Sequence, residues 1–199
     1  MLDSDTIVLP RPRTPAPGVR QTLRAATAQA HERLDASARR VNLADRESYG
    51  RFLQAQSGPV IALESALQDF GGARLLPDWP LRSRTAALRH DLDYLRLHTE
   101  SCAAIRLTSA AQAFGTLYVL EGSRLGARVL LQQILAAAPQ LKPATRFLSH
   151  GSDHRLWTTF LQTLEVKVGP NDLAGCTEGA KQAFALFAAS FMQAFGVPA

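Results

Sequence analysis

His31 is the first residue of this chain whose type and position could do chemistry. It stands in a helical stripe made by Leu23, Ala26, Thr27, Ala30, Leu34, Ala38 and Val41. An imidazole in such a stripe either finds a hydrogen-bond partner in the core or coordinates a metal. Asp35 follows one turn later on the same face, where a carboxylate can orient the ring through its N–H. Arg24 precedes His31 by one heptad, roughly 10 Å up the axis at about 1.5 Å per residue. That spacing suits an iron ligand paired with a cationic anchor for a carboxylate at the edge of a large planar group. A hydrogen-bonded core histidine is the competing reading.

The second constellation is Glu121-Gly122-Ser123-Arg124-Leu125-Gly126-Ala127. Gly122 and Gly126 are one turn apart and share a helical face, leaving bare backbone against which a flat ligand or another helix can rest. A mid-helix glycine costs roughly 1 kcal/mol relative to alanine, so a pair needs a packing or a functional reason. Both reasons stand at this point. His150 and His154 are split by Gly151 and an expected helix start, which reads as a solvated helix entrance rather than a metal pair. His90 and His98 share a charged helix surface with Arg89, Asp91 and Asp93. There is no phosphate-cradling glycine loop, no nucleophile-elbow motif and no zinc spacing, so hydrolase and nucleotide chemistry lose most of their support.

The elements that must position these residues are helices. Apolar residues recur at intervals of three and four almost everywhere, and two-residue alternation is nearly absent, which predicts an all-α fold. The spacing predicts a helix over 19–41, a second from an Asp45 cap to Phe70 that Pro59 kinks and Gly71 stops, and a third opened by Pro80 and reaching His98. A long helix capped by Thr108 or Ser109 ends before Pro139 and is interrupted at 121–126. Ser152 or Asp153 caps a helix to about Val168, the run Gly169-Pro170-Asn171 breaks it, and a last helix over 172–195 presents Phe184, Phe187, Phe191 and Phe195.

The length of 199 residues favours one domain, 19–199, behind a flexible Pro/Arg-rich tail, 1–18. A hydrophobic fraction of 46% with 20% charged residues excludes a largely disordered chain. The 22 Lys+Arg against 17 Asp+Glu give a net charge of +5, which raises nucleic acid or an anionic cofactor as a partner. Arg11, Arg13 and Arg20 sit in or beside the tail, and Arg33, Arg46, Arg51, Arg74 and Arg82 are scattered among acids, a pattern read as a solvated basic surface. Cys102 and Cys176 lie far apart with no metal or haem-attachment spacing and read as reduced thiols. No leader peptide and no apolar run near the roughly 18 residues of a membrane span is evident, so a cytoplasmic protein is expected.

Two segments carry a family likeness. Leu23-Arg24-Ala25-Ala26-Thr27-Ala28-Gln29-Ala30-His31-Glu32-Arg33-Leu34 and Phe114-Gly115-Thr116-Leu117-Tyr118-Val119-Leu120-Glu121-Gly122-Ser123-Arg124-Leu125-Gly126 resemble the first and distal helices of the haem oxygenase family, particularly its bacterial, bacteriophytochrome-associated members. The likeness covers approximately residues 20 to 196. It implies a helical bundle that holds haem b, as substrate and cofactor, between the first helix and a kinked distal helix. By this resemblance His31 is the iron ligand, Gly122, Ser123 and Gly126 form the catalytic distal segment, and Arg24 contacts a propionate. Arg155 or His154 supplies a second such contact, Phe187 belongs to the apolar wall, and Tyr118 is either a pocket group or a core residue. Ser123 replaces an aspartate common in the family, and Ala127 replaces the second glycine of its closing pair. The implied reaction opens the haem ring to biliverdin, carbon monoxide and iron, using O2 and electrons from a reductase or ferredoxin-type donor, with a bacteriophytochrome as receiver of biliverdin. No nucleic acid or membrane partner is expected. A haem carrier or sensor on the same scaffold is the alternative; a basic nucleic-acid-binding module and a thiamin-type helical enzyme explain His31 and the glycines less well.

Overall fold

The computed structural model describes residues 18–196, and among them regular structure is helical with no strand. The tail assigned to residues 1–18 lies outside the described residues except for Gly18. Four long helices carry the fold: α1 (Val19–Ala38), α2 (Arg46–Phe70), α6 (Ala110–Ala137) and α9 (Leu173–Phe195). Between them lie α3 (Gly72–Leu75), α4 (Trp79–Arg82), α5 (Thr85–Leu95), α7 (Arg146–Ser149) and α8 (Leu156–Lys167), with 3-10 turns at Pro139–Ala144 and Pro170–Asp172.

α9 is the axis of the packing, lying against α6, α2 and α1. Its crossing with α6 is close because small residues face each other there. A Cβ on Gly115 would sit 1.8 Å from the Cys176 carbonyl oxygen, and one on Gly179 would sit 2.2 Å from that of Gln112. Around this crossing, Leu53, Leu63, Leu117, Phe160 and Phe191 are fully buried.

The caps expected at Asp45 and Ser109 are present: Asp45 accepts from the Ser48 amide and Ser109 from the Gln112 amide. Gly71, at φ 94°, ends α2 in the left-handed region that glycine adopts without strain. α2 continues helically through Pro59. Proline offers no N–H to the Ala55 carbonyl, and Ser190 on α9 donates to that oxygen instead (2.8 Å).

Other boundaries differ from the expected ones. α1 stops at Ala38 rather than Val41, because Arg40 and Val41 turn onto Ser37 and Ala38 in i to i+3 bonds. The single helix expected from Pro80 to His98 is two, α4 and α5. Glu64 of α2 separates them, accepting from the Ser83 hydroxyl, the Arg84 amide, and the Thr85 amide and hydroxyl. Arg96, at φ 62°, then closes α5 before His98. α8 begins at Leu156 with no side-chain cap from Ser152 or Asp153, after a turn in which Gly151 takes φ 71°. α6 stays helical through 121–126, so the interruption expected there is not a break in the helix. The Ser123 hydroxyl donates to the Leu120 carbonyl (2.8 Å), a back-bond of the kind that bends helices.

The arginines are not all solvated. Arg82, expected on the surface, is 2% exposed and pairs with Glu121 (2.7 Å) and Asp78 (2.7 Å). Asp91, read as part of a charged surface, is fully buried and accepts from the Arg146 and Phe147 amides, anchoring the start of α7.

Candidate functional site

A cavity of about 520 Å³ opens between α1, α6 and the phenylalanine edge of α9. Its wall is apolar where Phe184, Phe187 and Phe191 line it, and cationic where Arg20, Arg24 and Arg84 do. His31 lines the same space. Its side chain is 64% exposed, which removes the core-histidine reading, and its ring meets Phe184 edge-on with centroids 6.0 Å apart. Asp35 Oδ2 lies 3.2 Å from Nδ1, as expected one turn along α1. With Nδ1 held by a carboxylate, Nε2 is the nitrogen left to ligate.

Gly122 and Gly126 line the cavity too, and the space around them decides between their two readings. A Cβ on Gly126 would meet nothing within 4 Å, and one on Gly122 would meet only the Trp157 ring, at 3.7 Å. No backbone packs on this pair; α8 touches it only through the Trp157 ring at Gly122. The close packing that glycines permit occurs instead at Gly115 and Gly179, while Gly126 faces open volume and Gly122 has room for a Cβ beside the Trp157 ring.

Ser123 also lines the cavity, with its hydroxyl proton given to Leu120 O and its oxygen accepting from Arg84 Nη2 (2.8 Å). Tyr118 is half-buried, its ring 5.6 Å from that of Trp157. Burial raises its phenol pKa, while Arg20 and Arg24 act the other way. Phe187 is buried and lines the cavity wall. Arg155 and His154 line a smaller neighbouring cavity of about 270 Å³, which shares only Leu125 and Trp157 with the larger one.

Beneath α6 lies a buried ionic network. Glu121, 1% exposed, receives both Arg82 (2.7 Å) and Arg124 (2.9 Å), and Arg124 reaches the His150 carbonyl. His150 is held below the usual histidine range by burial first and then by the charges of Arg124 and Arg84. Arg20, Arg84 and this network were not found from sequence. Arg20 had been set beside the tail, but Glu165 of α8 accepts from the Val19 and Arg20 amides and so starts α1 early enough to bring Arg20 to the cavity. Arg84 did carry a signal: a cation at a helix start opposes the helix dipole and needs another reason to be there.

A helical fold with a mostly apolar cleft between its long helices, lined by a single histidine and by Gly122 and Gly126, defines a class, helical proteins with a large ligand cleft. The chain belongs to the haem oxygenase family: the family model "Heme oxygenase" matches residues 18–193. It is 30% identical over 174 residues to "Heme oxygenase PigA" of Pseudomonas aeruginosa, covering 84% of this chain and 88% of that protein. It is 29% identical over 145 residues to a "Heme oxygenase" of Xanthomonas campestris pv. campestris, covering 72% and 88% respectively. The fold is similar to the NO- and CO-bound heme oxygenase of Neisseria meningitidis, with a TM-score of 0.78, 26% identity, and coverage of 92% of this chain and 95% of that one.

The residues present fit haem on their own chemistry. Among the described residues no group of three or more His, Cys, Asp or Glu could hold a bare metal ion. One imidazole is the donor set that suits an iron already held by four ring nitrogens. The volume open at Gly126 has room for a flat ring that a longer side chain there would obstruct.

Proposed function

We propose that this protein degrades haem, opening the ring to biliverdin with release of carbon monoxide and iron at the expense of O2 and external electrons. The observation that carries this reading is the meeting, in one cavity, of His31 with the bare Gly122 and Gly126 strip. His31 ligates iron, Asp35 fixes its ring, Gly122 and Gly126 admit the macrocycle, and Arg24 with Arg20 takes up propionate charge beside Tyr118. Bound haem would supply the redox centre that activates O2; the protein would supply the His31 imidazole as ligand, an apolar wall from Phe187 and its neighbours, and polar groups around Ser123. Electrons come from a reductase or ferredoxin-type donor, and the family likeness implies a bacteriophytochrome as receiver of the product in the cytoplasm. Among the described residues no helix is long and apolar enough to cross a membrane.

A second reading, a haem carrier or sensor, is favoured by one feature: the Ser123 hydroxyl proton is committed to Leu120 O. Adding hemin and then reductant in air separates the two. The enzyme shows a histidine-type haem spectrum that decays to biliverdin absorption, and His31→Ala folds but loses that spectrum. Haem that persists through repeated reduction and aeration overturns the enzymatic reading.

A further inference from the structure

Resting on the haem-binding reading, a further assignment concerns Arg84. It stands just before α5, is 2% exposed and lines the cavity beside Ser123. Its Nη2 donates to Ser123 Oγ (2.8 Å) and Leu120 O (3.1 Å), and its guanidinium lies 4.8 Å from the centroid of the Phe147 ring. The two neighbouring buried arginines, Arg82 and Arg124, both pair with Glu121. Among the described residues, no carboxylate forms an ion pair with the Arg84 guanidinium.

The charged and titratable groups around it are Arg124 and Glu121 on α6, Glu64 on α2 and His150 after α7. Glu64 and Glu121 favour its charge through space, but neither carboxylate touches its guanidinium. Glu64 spends its oxygens on the Ser83 hydroxyl and on the Arg84 and Thr85 backbone amides, and Glu121 is gripped by two other guanidiniums. Burial, with Arg124 adding to it, brings the Arg84 pKa down to about 10, which still leaves the group charged at neutral pH. A buried cation with no carboxylate in direct contact is costly, and that cost falls when an anion enters the space beside it.

We propose that Arg84 is a specificity-determining residue of the distal face, making the cavity favour an anionic small ligand on the iron over a neutral one. Ser123 positions it: the hydroxyl oxygen accepts from the guanidinium while its proton points to Leu120 O, so the pair presents positive charge and no free hydroxyl proton. A carboxylate at position 123, as in the family members noted above, would neutralise this charge; a serine leaves it exposed to the ligand.

The test is ligand affinity on the hemin-reconstituted protein, read by absorption: azide on the ferric form and carbon monoxide, a neutral ligand, on the reduced form. Arg84→Gln weakens azide about tenfold or more, as expected for losing a unit charge in a partly desolvated site, and changes carbon monoxide affinity far less. Arg84→Lys keeps most of the azide affinity. Should Arg84→Gln fail to fold, Ser123→Asp serves, since it gives the buried cation a partner, and the same selective loss of azide is expected. Unchanged azide affinity in either variant at full haem loading, or equal losses for both ligands, overturns the assignment alone. A wild-type protein that takes up no hemin overturns the haem reading and this proposal with it.

Discussion

Gly126 is where stability and site shape pull in opposite directions. A Cβ there would meet nothing within 4 Å, so the protein interior does not require a glycine at this position. Gly126→Ala is therefore expected to stabilise the haem-free protein by about 0.5 to 1 kcal/mol, the usual helix-interior difference, measured by denaturant unfolding. Gly126→Leu projects a branched side chain into the cavity and should cut hemin affinity at least tenfold with little loss of fold. Normal hemin uptake by Gly126→Leu would remove this residue from the site. His150 gives a pH prediction. Its pKa is lowered from 6.5 by burial, then by Arg124 and Arg84, so the unfolded chain takes up the proton first as pH falls. The stability it contributes is present above pH 6.5 and is lost as pH falls through the lowered native value. Unfolding free energy should thus decline from neutral pH into that window, and His150→Asn should flatten part of the decline. An identical pH slope in the variant would exclude His150 as the group responsible.

The helices were legible where their ends are set locally and illegible where a distant side chain sets them. The α6 and α9 crossing is the element on which the packing turns. Gly179→Ala would place its Cβ 2.2 Å from a backbone oxygen of α6 that cannot give way. It should destabilise by about 1 to 3 kcal/mol or more, as overpacking does, in contrast to the gain at Gly126. Equal thermal stability of Gly179→Ala and wild type would show that the crossing is looser than this. α2 and α6 could be read from Asp45 and Ser109 because each cap lies within its own turn. The break between α4 and α5 could not, since Glu64 closes it from another helix. The same holds for α7, whose start hangs on Asp91. Periodicity reports which face is apolar; it carries no information about a carboxylate arriving from elsewhere in the fold.

Across the whole molecule, the net charge of +5 changes meaning once the fold is known. Arg82, Arg84 and Arg124 lie inside rather than on a basic surface, and Arg20 and Arg24 line the cavity. His31, Gly122 and Gly126 were legible as candidates because helical spacing alone puts each on a defined face. Arg84 and Arg20 were not, because only the docking of α5 and α1 brings them to the same cleft. The account as a whole claims that this cleft holds haem on His31 and lets O2 open it. The most direct test is product balance: hemin-loaded protein is given reductant and O2, and biliverdin, carbon monoxide and released iron are quantified against haem consumed. Wild type should yield the three products in equal amounts, and His31→Ala should yield little of any. Intact haem recovered from the wild-type reaction, or haem loss without biliverdin and carbon monoxide, would contradict the account.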